Sequence, residues 1–552
     1  MTPSKRLGNL VNRFYEDYFG FNPTLGREAG FHKYLGEVPD LAYENIIGFL
    51  KRLQFYEIEV ERLQKEELSV PEQADIAQLN LTIYYEKFVI QQLRWWANDP
   101  LAYGKHLDVS HYLKRNYASP EIRAQHTIRH LAQIPQLLEQ QRFNLELVQP
   151  RINLATAIEM YKGYHDFFTK DVIRDFKALV NTSLVQQLEE VVTEVEKSLD
   201  SFIFYMENDL LPKTTEDFAI GRFNFLDMLR YGEMVEMELD EVLRIGEADL
   251  EKNKRRFKEI AEHFMPNKSS RDVMLEIAKD HPTSESLIDS TRDMLEDIRQ
   301  FIINRNLVTV PSDVRIQVEE TPRFMHWAFA MCDTPGPFEK KATESFYYVT
   351  NVLPDWSEDK KEEWLRKFDF ATLDNVSIHE AYPGHYIHYL HTLSVPSTVA
   401  KIAGAYSFLE GWAHYVEEMM LEEGWHKGDP KYRLAQLSEA LLRDCRYICS
   451  IKMHTQGMTV DEATEFFMEN AYMEKTPARK EADRGTYDPG YLNYTLGKLM
   501  ILKLREDWRK QEGDNYSLKR FHDTLLLFGA PPIPLVRKLM LKNDDGEILW
   551  EK

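Results

Sequence analysis

From residue 9 to about 306, apolar residues recur every three or four positions with polar and charged residues between them, the period of amphipathic helices. Residues 122–145 and 184–206 show it most clearly, the first with a kink expected at Pro135. Breaks are expected at Asn22-Pro23, Val38-Pro39, Leu211-Pro212, Met265-Pro266 and His281-Pro282, because a residue before proline is driven out of the helical region. No fixed-period repeat or low-complexity linker is present. The texture changes near Leu307. Residues 308–310 and 314–318 are short β-like runs and 345–353 is a stronger one, with the turn Pro335-Gly336-Pro337 between them. Helical periodicity returns over 356–368, 407–419, 432–454 and 491–508, and Thr459-Val460-Asp461-Glu462 is a capping box. Residues 475–490, dense in charge, read as a loop, and 529–534 as a turn before a last short helix. The pattern predicts a mainly α protein with a small sheet. We divide it into an N-terminal helical subdomain, 1–306, and a second subdomain with the small sheet and further helices, 307–552.

Length supports more than one packing unit, since 552 residues exceed the roughly 250–300 that one hydrophobic core usually serves. A formal net charge of −22 argues against nucleic acid and anionic membrane as partners. Cys332, Cys445 and Cys449 make an odd count without a disulfide framework, which suits a reducing compartment. Cys445 and Cys449, four apart on a helical pattern, read as buried structural thiols. The N-terminus continues into amphipathic sequence, with neither a signal peptide nor a spanning run, so a cytoplasmic location is expected.

Candidate chemistry concentrates in the last third. Ile378-His379-Glu380-Ala381-Tyr382-Pro383-Gly384-His385 places a glutamate between two histidines. Neutral imidazoles bind zinc, and an adjacent carboxylate can take a proton from an activated water. The common zinc motif has its histidines four apart on one helix face. A six-residue step on an unbroken helix would turn His385 by about 240° from His379. Pro383-Gly384, which costs roughly 4 kcal/mol against two alanines in a helix interior, allows a bulge that turns His385 back. On the later helix, Leu409, Trp412, Ala413, Val416 and Met420 form an apolar stripe, and Glu410 borders it in line with Glu417. A carboxylate beside a buried face needs a partner, and a metal is one. His379, His385 and Glu410 are the predicted ligands. His388 and His391 are rivals for the second place and Glu417 for the third. The earlier histidines His106, His111, His126 and His130 lack carboxylate company and read as structural.

His379-Glu380-Ala381-Tyr382-Pro383-Gly384-His385 followed by Glu410-Gly411-Trp412-Ala413 resembles the signature of domain-of-unknown-function family 885. These bacterial proteins are zincin-like and distantly similar to helical oligopeptidases and carboxypeptidases. Asn22-Pro23-Thr24-Leu25-Gly26, Asp333-Thr334-Pro335-Gly336-Pro337-Phe338-Glu339, Glu481-Ala482-Asp483-Arg484, Asp488-Pro489-Gly490 and Tyr494-Thr495-Leu496-Gly497-Lys498 extend the likeness over most of the chain. One departure is the run Ser450-Ile451-Lys452-Met453 before His454, where the family usually has an aspartate- and glycine-rich run. The resemblance implies a large helical zincin-like fold holding Zn2+, its two subdomains packed around one deep cleft with 307–552 catalytic, and a peptidase that cleaves short peptides with Glu380 as general base. It implies Tyr494, then His454, as oxyanion donors, with Tyr487 and Tyr491 behind them. Arg484 and Tyr491 become candidates for substrate contact, although Arg484 is equally suited to an ion pair with Glu481 or Asp488. The strand at 346–353 implies a substrate-facing edge through Tyr348. Two alternatives stand beside the peptidase: a metal-dependent hydrolase or lyase of another small amide or ester, and an inactive relative that binds a peptide.

Overall fold

The computed structural model describes residues 2–326 and 329–550. Helices begin where the sequence offers a side-chain acceptor for the first free N–H groups: Thr2, Ser119 and Asn181 act as caps, and Ser69 with Glu72 forms a capping box. These helices belong to the first of two compact units, Met1–Ile220 with Pro335–Thr343. Its main helices are α1 (Pro3–Phe21), α2 (Tyr43–Leu63), α3 (Val70–Gln91), α4 (Pro120–Leu131), α5 (Ile134–Asn144), α6 (Arg151–Asp166) and α7 (Thr182–Tyr205). The kink expected at Pro135 is a full break. Helix α4 has already ended at Leu131, and Pro135 lies in the first turn of α5, where a missing N–H costs little. The short segment 335–343 joins this unit through a stack of Phe338 on Phe31 at 4.7 Å and a His32–Glu339 ion pair at 2.8 Å.

The second unit comprises Gly221–Thr334 and Glu344–Lys552. The change of texture at Leu307 lies inside it, because the helices from Arg222 to Asn304 belong to the same unit. After α8 (Arg222–Glu233) come α9 (Leu239–Phe264) and α10 (Leu287–Asn304). The strands are β1 (Gln317–Glu320), β2 (Ala330–Asp333) and β3 (Phe346–Val349). There follow α11 (Phe370–Glu380), α12 (His385–Ser394), α13 (Tyr406–Glu422), α14 (Pro430–Thr455), α15 (Val460–Asn470), α16 (Lys475–Tyr487), α17 (Asn493–Glu512), α18 (Leu518–Leu526) and α19 (Ile533–Met540). Helix α9 packs on α14, with Tyr447 donating to Val242 O at 2.9 Å, and α10 packs on α11. The mainly α class with a small sheet agrees with the pattern in the sequence.

Three expectations give way. Residues 308–310 form no strand, and the sheet order is β1-β3-β2, with β3 parallel to β1 and antiparallel to β2. The strong apolar run is therefore the central strand, and the edge beside α11 is β2. The charged stretch 475–490 is largely helix α16. Its charges pair at four-residue spacing (Arg479–Asp483, Arg484–Asp488), while Ala478, Ala482 and Gly485 form its buried stripe.

Helices α13 and α17 meet at two glycines. A Cβ on Gly411 would lie 2.5 Å from Gly497 Cα, and one on Gly497 would lie 1.8 Å from Ser407 O. Backbone touches backbone there, which no larger residue permits. Among the described residues, no helix is long and apolar enough to cross a membrane.

Several buried histidines are held neutral. His130 donates through Nε2 to His106 O, His522 through Nδ1 to Leu307 O, and His454 through Nε2 to Gly485 O. Burial pushes His130 and His522 down to about 3 and His454 to about 4. The unfolded chain takes up these protons first, so their contribution is complete above about pH 6.5 and is lost as pH falls toward the folded values. Each costs up to about 1.4 kcal/mol per pH unit in that window. The urea midpoint is expected to fall steadily from about pH 6.5 to about pH 4.5, whereas a midpoint independent of pH there would contradict neutral rings.

Candidate functional site

Helix α11 ends at Glu380, just after His379, and α12 begins at His385. The expected single bulged helix is thus two helices joined by Ala381-Tyr382-Pro383-Gly384. The connection folds back on the last turn of α11: Ala381 N donates to Ser377 O and Gly384 N to Ile378 O. Trp412 of α13 pins it from the other side, its indole Nε1 donating to Pro383 O at 3.1 Å. The Tyr382–Pro383 bond is cis. A Cβ on Gly384 would lie 1.8 Å from His379 O, so the turn closes only with glycine.

The two rings meet edge to face, their centroids 4.9 Å apart at 90°. Ligand-type atoms of His379, His385 and Glu410 lie within 4.8 Å of one another. Glu410 Oε2 is 3.4 Å from His379 Nε2 and 3.6 Å from His385 Nε2. It is buried and makes no hydrogen bond. Atoms bound to one tetrahedral zinc at about 2.05 Å stand about 3.3 Å apart, close to these separations and longer than hydrogen bonds. Two imidazole nitrogens and an orphaned carboxylate oxygen are a donor set that fits a divalent cation.

Glu417, considered above as a rival ligand, lies behind His379. Its Oε1 accepts from His379 Nδ1 at 2.7 Å, which turns Nε2 toward Glu410. Its Oε2 accepts from His414 Nδ1 at 3.1 Å, and Arg443 stands 3.3 Å away. Burial would raise the Glu417 carboxyl, but Arg443 and His414 hold it well below the usual carboxylate range. Burial would likewise depress His379, and Glu410 and Glu417 overcome it, raising the ring to about 9. Glu410 itself stays well below its ordinary value: burial is outweighed by His385 and His379.

Glu380 is aimed by the sheet, since the backbone N–H of Cys332 on β2 donates to its Oε2 at 2.9 Å. Tyr494 stands beside the cluster, its ring 6.4 Å from that of His379 and nearly parallel. Arg443, Arg446 and Arg484 lie 5.2 to 6.0 Å from its ring. Burial and Glu410 keep its phenol protonated against these cations. Arg484 pairs with Asp488 at 2.8 Å and donates to Tyr406 O–H at 3.1 Å, while Glu481 instead takes Arg446.

Other predicted positions fall outside the cluster. His454 is fully buried at the end of α14 and spends Nε2 on Gly485 O at 2.7 Å, so it does not serve as an oxyanion donor. Tyr491 is also fully buried, its hydroxyl packed against Gly485, so it offers no surface to a substrate. Tyr348 is buried in the central strand, on the face opposite Tyr347, whose hydroxyl meets Ser377 of α11, so it lines no edge. His388 and His391 are not ligands: their Nε2 atoms bond Gly529 O and Thr309 O. Tyr487 is partly exposed on α16. Cys445 and Cys449 are buried free thiols, as expected. Sequence reasoning missed the positioning roles of Glu417, Trp412 and the Cys332 N–H. Only Glu417 had left a signal, its alignment with Glu410 on one helix face.

Glu417→Gln is expected to weaken divalent-cation binding about 10- to 100-fold with unchanged stoichiometry at saturation, read by competition with a chelating dye. Unaltered affinity would remove Glu417 from the site. Gly384→Ala is expected to abolish stoichiometric binding, and full metal content in that variant would mean that the turn is not needed.

Comparison with curated proteins finds no match. The fold is shared with two solved structures. One, a "putative lipoprotein of unknown function" from Shewanella oneidensis, has a TM-score of 0.82 at 22% identity, covering 97% of this chain and 100% of that one. The other, a "putative lipoprotein" from Colwellia psychrerythraea, has a TM-score of 0.81 at 19% identity, covering 97% and 98%. Residues 23–540 match the family described as "Bacterial protein of unknown function (DUF885)", and the chain belongs to that family.

Proposed function

We propose that this chain is a zinc-dependent hydrolase of short peptides, with His379, His385 and Glu410 as metal ligands and a zincin-like catalytic plan. The observation that carries the reading is Glu410 Oε2, buried, unbonded and 3.4 and 3.6 Å from two imidazole nitrogens. A zinc ion held there would supply Lewis acidity to a water and to the carbonyl of the scissile amide. Glu380 takes the proton of the attacking water and delivers it to the leaving nitrogen, its carboxylate steadied by the Cys332 N–H. Glu417 keeps His379 in one tautomer throughout. The protonated Tyr494 hydroxyl donates to the oxyanion. Among the described residues β2 has β3 on one side only, so its outer edge suits an extended peptide backbone. Arg484, partly exposed beside Asp488, is the group we assign to a substrate carboxylate.

The free thiols favour a reducing, cytoplasmic setting. The two relatives in fold are described as lipoproteins. Fractionation of cells expressing the tagged natural protein discriminates, and recovery with membranes would overturn the cytoplasmic reading.

Glu380→Gln is expected to lower kcat on a short peptide by about 10²- to 10⁴-fold while metal content stays at that of the parent. Tyr494→Phe is expected to lower kcat by up to about 10²- to 10³-fold with little change in KM. Wild-type turnover in Glu380→Gln would eliminate that residue as the base. A metal-replete chain that ignores a peptide library yet hydrolyses another amide or an ester would end the peptidase reading and keep the hydrolase.

A further inference from the structure

A guanidinium deep in a protein normally finds an anion, because stripping water from a charge costs several kcal/mol. Arg123 on α4 is only 5% exposed. Among the described residues its partners are backbone carbonyls: Nη1 donates to Tyr112 O at 2.8 Å and Leu113 O at 3.0 Å. Its Nε is buried and makes no hydrogen bond. Burial lowers its pKa, and the one group acting the other way is the Tyr117 phenol, not a carboxylate.

This side chain lines an open cavity of about 470 Å³ within the first unit. The walls are apolar: Leu113, the fully buried Phe176, Ala178, and Leu179, which is 49% exposed at the mouth. The remaining charges there are already matched, since Arg174 pairs with Asp175 at 2.8 Å and with Asp171 at 2.6 Å. A cavity of this size suits a small ligand, and its charge layout restricts which. One interior cation without a carboxylate accepts one negative charge. Asp175 nearby disfavours a dianion such as phosphate, and the leucine surfaces favour a hydrocarbon body.

We propose that this cavity is a binding site for a monocarboxylate with an apolar body, the carboxylate on Arg123 and the hydrocarbon along Leu113 and Leu179. The site is separate from the metal cluster. In the competing account Arg123 only caps the carbonyls that end the short helix Ser110–Lys114, and no ligand binds.

Calorimetric titration of the full chain with a chelator present makes the test independent of the proposed metal chemistry. The probes are sodium octanoate, octan-1-ol and octylammonium chloride below their micellar concentrations. Octanoate is expected to bind saturably at one site, octanol at least about tenfold more weakly, and octylammonium not at all. Arg123→Met is expected to weaken octanoate about ten- to a hundredfold, the loss of one charge-assisted hydrogen bond, with little effect on octanol. Leu179→Glu, at an exposed position that folding tolerates, is expected to weaken octanoate by at least tenfold. That variant carries the test should Arg123→Met fail to fold. No saturable octanoate binding, equal affinity for all three probes, or parental affinity in Leu179→Glu would each overturn the assignment.

Discussion

One buried carboxylate couples the site to the helices around it. Glu417 is fully buried on α13 and serves His379 from α11, His414 from its own helix and Arg443 from α14. Burying such a charge is costly unless its partners are all in place, and removing one of them leaves an uncompensated ion in the interior. Rotating any of the three helices by one residue would do that. The bond to His379 therefore fixes helix register as well as ring orientation, and it is why His379 presents Nε2, not Nδ1, to Glu410.

Steric limits finish what this charge begins. Gly384 lets the α11–α12 connection fold back on His379 O, and the Gly411–Gly497 contact lets α13 and α17 touch backbone to backbone. The first brings His385 to His379. The second sets Tyr494, one turn before Gly497, beside Glu410, which precedes Gly411. Trp412 locks the two together by donating from α13 to the connection itself. Gly384 and the Gly411–Gly497 pair thus supply the close approaches that bring the polar side chains of the candidate site together.

The His379–Glu380–His385 and Glu410 positions were legible because their relation is local: a proline-glycine break in one helix, and a carboxylate on the border of an apolar stripe in another. The charged helix α16 was misread as a loop because its buried stripe consists of alanine and glycine, which hydropathy barely registers, while its ion pairs look like solvent-exposed charge. His454 and Tyr491 carried residue types suited to catalysis, yet each packs inward against the backbone at Gly485. Residue type does not reveal which way a helix face is turned.

By itself the sequence determined the helical class, the helix starts marked by caps, a departure from regular helix at Pro383-Gly384, and His379, His385 and Glu410 as candidate metal donors. These follow from periodicity, backbone stereochemistry and side-chain chemistry within a few residues. Tertiary structure alone decided that β3 is central and β2 an edge, that the Cys332 N–H aims Glu380, and that Glu417 supports His379 without joining the His379–His385–Glu410 cluster. Strand order and helix rotation are settled by contacts between segments tens to hundreds of residues apart. Burial and charge pairing are satisfied there only for the assembled core, so no local pattern encodes them.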